Sequence, residues 1–135
     1  MNCAFEDCVA IDAALDRYED WGRVFARIDR TRKPNADAIA QMALENYVEM
    51  RDSVRDPRFV LQKELSLKLE QLFPEHFIPR YSMVMFHHEI PYAVALERGR
   101  IQQEILDELA ARTTSVEHAN WTLATRLVQT RLSAL

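Results

Sequence analysis

Three groups of residues in this chain have types and spacings that could do chemistry. In the run Asn46-Tyr47-Val48-Glu49-Met50, the residues Asn46, Glu49 and Met50 stand three and four apart, so on a helix they share one face. An amide and a carboxylate on an apolar stripe need partners. Neighbouring backbone could satisfy them internally, or the face could hold the ammonium or amide end of a small ligand. Tyr81 follows Pro79-Arg80 and precedes Met83 and Met85. Its phenol either reaches water from an ordinary core position or donates to a ligand carboxylate. His87-His88-Glu89 has metal-ligand types, but adjacent histidines point about 100° apart on a helix and to opposite faces on a strand. No further ligand stands at a spacing that completes a site, so no metal is expected. His76 and His118 read as isolated surface residues.

Other chemistries find little support. No serine-histidine-acid constellation is evident, and neither G-x-G-x-x-G nor a Walker motif is present. The 135 residues contain two glycines, fewer than the phosphate turn and strand-helix loops of a nucleotide-binding α/β domain normally use. Cys3 and Cys8 read as small apolar packing residues rather than a disulfide, as expected in a reducing cytoplasm. With 21 acidic and 17 basic residues the formal charge is −4, which argues against nucleic-acid binding through a broad basic surface. No apolar run is long enough for a membrane span, and the acidic N-terminus is unlike a signal peptide. A cytoplasmic protein without a membrane anchor is expected.

The elements that must position these residues are helical. From Asn2 to about Arg17, the residues Ala4, Phe5, Cys8, Ile11 and Leu15 recur at three- and four-residue steps. Asn2 is placed to cap that helix, with Glu6 and Asp7 in its favourable first turn. Trp21, Val24, Phe25 and Ile28 predict a short second helix, ended by the polar segment from Asp29 to Pro34. Asn35 is expected to cap a third helix to about Ser53, its buried stripe running through Ile39, Met42, Ala43, Asn46 and Met50 toward Val54. Asp56-Pro57 reads as a cap and first helical position, opening a helix that carries Val60, Leu61, Leu65, Leu69, Leu72 and Phe73. Pro79 to Phe86 alternates like a strand, but a lone strand would leave backbone unpaired, and a short helix or turn is the better expectation. Pro91 starts a long helix to about Arg112, and Thr114 with Glu117 matches a capping box for a last helix to about Leu132. The fold class is all-α, with five to seven helices.

The sequence also resembles a known family. Met1-Asn2-Cys3-Ala4-Phe5-Glu6-Asp7-Cys8 is similar to the segment after a Gly-Gln-Gly turn in flavoprotein aromatic hydroxylases of the p-hydroxybenzoate hydroxylase type. More specific are Asn46-Tyr47-Val48-Glu49-Met50-Arg51 with Val54-Arg55-Asp56-Pro57-Arg58-Phe59, then Pro79-Arg80-Tyr81-Ser82-Met83-Val84-Met85-Phe86, then Pro91-Tyr92-Ala93-Val94-Ala95-Leu96. In this order they resemble the C-terminal part of kynurenine 3-monooxygenase over roughly Met1 to Leu109.

The resemblance implies an FAD-dependent monooxygenase that hydroxylates L-kynurenine to 3-hydroxykynurenine with NADPH and dioxygen. Met1 and Asn2 would lie against the flavin, where helix N-terminal N–H groups favour negative charge. Asn46 and Tyr81 would hold the amino-acid end of L-kynurenine, and Glu49 and Met50 would line that pocket. None would be a catalytic acid or base; their role is positioning. The family pattern divides the chain into residues 1–18, ending the FAD-binding region, residues 19–112, a helical substrate-side domain, and residues 113–135, a capped helix. The Rossmann-like FAD domain has no counterpart here, so the chain is expected to be inactive alone. An exposed apolar patch is expected along Phe5, Cys8, Val9 and the third helix, where the family's sheet would pack. Partners could then be an N-terminal FAD-binding chain or a second copy. A detached helical ligand-binding or protein-interaction module remains the alternative.

Overall fold

A computed structural model describes the chain over residues 2–53 and 56–135. Helix α1 spans Asn2–Arg17, α2 Trp21–Val48, α3 Pro57–Leu72, α4 Arg80–Phe86, α5 Tyr92–Ala110 and α6 Trp121–Arg131, with a π-helical segment at Glu49–Ser53 continuing α2. The described residues contain no strand. The all-α expectation holds, and the segment beginning at Pro79 forms a short helix.

Helix α5 is the centre of the molecule and packs against α2, α3, α4 and α6, while α1 lies along α2. The main core joins Leu61, Leu65 and Leu69 of α3 to Ile105, Leu106 and Leu109 of α5 and to Leu123, Ala124, Leu127 and Val128 of α6, with Phe77 inserted from the preceding loop. Leu61, Leu65 and Leu69 stand one turn apart, which is why α3 presents a single apolar ridge. Away from that core the molecule is more thinly filled, with Ala38, Met42 and Tyr92 forming one small cluster and Met83, Ile90 and Ala95 another.

Two boundaries differ from the sequence expectation. The second and third helices are one 28-residue helix, α2, with Pro34 inside it. Proline removes one backbone donor from a helix interior and strains the preceding turn, but tertiary contacts hold this stretch together. Arg32 pairs with Glu6 and Asp7 of α1. Asn35 is no cap of its own helix. Its amide donates to the Thr31 carbonyl at 3.1 Å, and its oxygen accepts from the Ala93 N–H at 3.0 Å. Asn35 thus caps α5 from a neighbouring helix, where Pro91 supplies no side-chain cap.

The last helix starts later than Thr114. Asn120 is its cap, the side-chain oxygen accepting from Leu123 N–H at 2.9 Å. Thr113 instead turns back on Ser115 at 2.8 Å. Burial of Ala119 and packing of Val116 against the main core draw this segment into turns, overriding the capping-box pattern. Asp56 caps α3 as expected, accepting from Arg58 N–H at 2.9 Å, with Pro57 at the first helical position. Both cysteines are free.

Candidate functional site

Helix α2 and the start of the π-helical segment turn one face inward through Ala38, Met42, Glu45 and Glu49. That face lies one residue out of step with the stripe expected from sequence. Asn46, offset by about 100° on a helix, is therefore exposed, as is Ala43. Met50 is 66% exposed. Val54 and Met1 lie outside the described residues. The buried-stripe reading of Asn46 and Met50 is corrected by this register, while Glu49 does face inward.

Glu45 and Glu49 meet Arg80 at the start of α4. One Arg80 amino group pairs with Glu45 and the other lies 3.9 Å from Glu49. That second group also donates to the Tyr81 hydroxyl at 3.0 Å, and the guanidinium lies 4.9 Å from the Tyr81 ring centre. Lys63 of α3 closes the circle on Glu49 at 2.7 Å. These side chains line a cavity of about 270 Å³ between the end of α2, α3, α4 and α5, together with Phe59, Phe77, Gln102 and Gly99. Its size is at the lower edge of small-molecule pockets. A shallower groove shares Glu45, Glu49, Phe59, Gln62 and Gln103 with it and continues past Leu44 and Val48.

The electrostatics follow from partial burial. Burial works to raise the Glu45 carboxyl, but the Gln41 amide and the Arg80 guanidinium outweigh it and hold the group below its ordinary range. Burial pushes the Tyr81 phenol up, opposed by Arg80 and reinforced by Glu49. The phenol therefore stays protonated as a donor at neutral pH. Two carboxylates (Glu45 and Glu49), three cations (Lys63, Arg80 and Arg100) and the Tyr81 phenol line this one small cavity, so it offers partners to both charges of a zwitterion.

The structure thus brings two of the expected residues, Glu49 and Tyr81, to one cavity through Arg80. Asn46 and Met50 stand on the outer side of the same stretch, with Tyr47 and Leu44 exposed beside them. The junction from α to π geometry falls at Glu49, a distortion frequent at functional sites. Sequence reading missed Glu45, Arg80, Lys63 and Gly99. The Glu45-x-x-x-Glu49 spacing was the available signal, because residues four apart share a helix face.

Asn2 opens α1 beside a groove lined by Phe5, Glu6, Val9, Ala10, Ala13, Arg32 and His88. Phe5 is 65% and Val9 69% exposed, and Cys8 is exposed too, so the apolar patch expected along α1 is present. On the stretch of α2 expected as the third helix, Leu44, Tyr47 and Val48 are exposed as well. His87 and Glu89 pair at 3.0 Å, and no group of three metal-ligating side chains converges among the described residues. No described helix is long and apolar enough to cross a membrane.

Comparison with known proteins finds relatives that share one name. The chain is 45% identical over all 135 residues to kynurenine 3-monooxygenase of Stenotrophomonas maltophilia, covering 30% of that protein. Over the same 135 residues it is 44% identical to the protein of that name from Xanthomonas oryzae, again 30% of its length. A third relative so named, from Myxococcus xanthus, is 44% identical over 133 residues and 28% of its length. The chain is similar to the C-terminal part of these relatives. It spans about 30% of the length of these relatives. No protein-family model matches the chain. The stretch similar to these relatives is all-α among the described residues, with its charged cavity set between the end of α2 and the start of α4.

Proposed function

We propose that this chain forms one wall of the L-kynurenine site in an FAD-dependent monooxygenase that makes 3-hydroxykynurenine with NADPH and dioxygen. The observation that carries the reading is the meeting of Glu49, Arg80 and Tyr81 at a cavity sized for one small ligand, in segments that match proteins named for that substrate. Tyr81 holds the amino-acid end from the cavity, with Glu49 beside it, while Asn46 and Met50 would meet the ligand from the exposed outer side of the same stretch. Their work is orientation and exclusion of water, not proton transfer.

The described residues fit only an edge of a flavin site. Gly22 and Gly99 both lie inside helices and neither has a positive φ, so neither forms a turn that would cradle phosphates. Asn2, with Met1 before it in sequence, would contribute that edge. The flavin, when bound, supplies the oxygen-activating chemistry. This chain alone is accordingly not expected to turn over kynurenine. A second reading, a helical docking module, is favoured by the exposed Phe5, Val9, Tyr47 and Phe86.

The test is a chimera in which this chain replaces the matched part of the Stenotrophomonas maltophilia relative. The chimera is expected to fold, bind FAD and form 3-hydroxykynurenine, measured by chromatography. Tyr81→Phe and Asn46→Ala are expected to raise KM for L-kynurenine at least about tenfold, the loss of roughly one hydrogen bond to a charged group. A folded, yellow chimera that makes no product, or one whose KM ignores both substitutions, would sink the proposal.

A further inference from the structure

We infer that Gly99 is a positioning residue for the cavity: the Arg80 side chain lies on it, and through Arg80 it sets where the guanidinium meets Glu45, Glu49 and Tyr81. Gly99 is buried in the middle of α5. A Cβ placed there would stand 2.4 Å from Arg80 Cδ, 2.9 Å from Cγ and 3.0 Å from Cβ. Two of those atoms are at the root of the Arg80 side chain, so swinging its tip would not relieve the overlap. The backbone offers no other reason for glycine. Its φ is not positive, and a helix interior favours alanine over glycine.

Retreat of α4 is also blocked. The Gln102 amide donates to the Ile78 carbonyl at 2.7 Å, and an Arg98 amino group donates to the His76 carbonyl at 2.7 Å. Both pin the segment that leads into α4 on the same helix that carries Gly99. A side chain at position 99 therefore has to displace the Arg80 stem, and with it the guanidinium that joins the acid pair to Tyr81. Three residues of α5, Arg98, Gly99 and Gln102, thus fix the charged side of the cavity.

Packing and propensity act on Gly99→Ala with opposite sign, so a double-mutant cycle separates them. The variants are Gly99→Ala, Arg80→Ala and the two combined, in the chain as it stands. Gly99→Ala is expected to lower Tm by roughly 3 to 8 °C. In the Arg80→Ala background the same change should leave Tm unchanged or raise it, because the overlapping atoms beyond Cβ are gone.

The second readout is the Tyr81 phenol, isolated as the ultraviolet titration difference from Tyr81→Phe. In Gly99→Ala it should ionise at higher pH than in the wild type, since the nearby cation has moved while burial remains. Should Gly99→Ala not fold, recovery of folding in the double variant supports the inference, and failure of both overturns it. A Gly99→Ala that raises Tm in both backgrounds, or leaves the Tyr81 titration in place, also overturns it. Neither readout needs a ligand, so failure of the kynurenine reading leaves this test intact.

Discussion

Replacing Tyr92 by phenylalanine removes one hydroxyl and tests how α1 is held on the bundle. Tyr92 is 7% exposed, and its hydroxyl donates to Glu6 Oε1 at 2.6 Å. The other Glu6 oxygen accepts from Arg32 at 3.0 Å, and Arg32 Nε donates to Asp7 at 2.6 Å. The hydroxyl therefore ties α5 to an acid pair that α2 also grips. A hydrogen bond to a charged partner contributes about 1.5–3 kcal/mol net. The Glu6 side chain is 38% exposed, so water replaces part of what is lost, and the expected cost at neutral pH is about 1–2 kcal/mol. The pH dependence has a definite sign. Burial, followed by the hydrogen bond to Glu6 and its charge, pushes the phenol from 10.0 to about 12. The folded state thus favours the neutral phenol. Its contribution is complete below about pH 10, the unfolded value, and is lost as pH rises toward 12. Urea unfolding of wild type and Tyr92→Phe from about pH 8 to 11 should show a stability gap that narrows above pH 10. A gap that is absent at pH 8, or that holds constant or widens above pH 10, would refute the reasoning.

Arg80→Met should cost about 1–3 kcal/mol at pH 7, between the values for exposed and buried pairs, because Arg80 is 18% exposed and its partners retain some water. Glu45 sits below its ordinary pKa, so its share of stability is present above about pH 4.5 and lost as pH falls through the folded value; urea curves at pH 7 and pH 4 should show the deficit shrinking in acid, and an equal deficit at both would contradict the pairing. Arg98→Met should cost about 2–4 kcal/mol, since Arg98 donates to the His76 and Ser133 carbonyls at 2.7 and 2.8 Å and both would be stranded; limited proteolysis should then reach the C-terminal residues first, and unchanged protection would argue against this clamp. Asn46→Ala should change the stability of the chain by less than about 0.5 kcal/mol, as expected of an exposed side chain; a loss of 2 kcal/mol or more in thermal unfolding would restore the core reading of this residue.

Patterns that depend on local spacing were legible in the sequence. Leu61, Leu65 and Leu69 mark the buried face of α3, and Asp56-Pro57 marks its start, because both signals act within one or two turns. What failed depended on partners distant in the chain. Pro34 reads as a break until Arg32 and Asn35 find Glu6, Asp7 and Ala93 across the bundle. Asn46 reads as buried because Ile39, Met42 and Ala43 suggest a stripe centred one residue late. The inward face is instead decided by Glu45 and Glu49, charged residues that a hydrophobic pattern discounts until Arg80 is known to face them. The candidate site was accordingly half visible: Glu49 and Tyr81 were singled out, but the cation that joins them was not.

The two halves of the molecule are held by different forces, and the site lies on the boundary between them. Helices α3, α5 and α6 share an apolar core that includes Phe77, Leu65, Ile105 and Val128, each at 0% exposure. Such a core gains stability roughly in proportion to apolar area and tolerates little movement. The α1–α2 half relies more on polar links at Arg32, Tyr92 and Asn35, whose net contributions are smaller and depend on pH. The cavity takes Lys63 and Gln102 from the well-packed half and Glu45 and Glu49 from the other, with Arg80 and Tyr81 of α4 between them. Opening of the weaker half would therefore move the acid pair away from a fixed α5 rather than unravel the whole site. Helix α5 carries none of the side chains first singled out for chemistry, yet Arg98, Gly99 and Gln102 give Arg80 a fixed platform. The geometry of this site is consequently a property of the central helix, and the residues that touch a ligand inherit it.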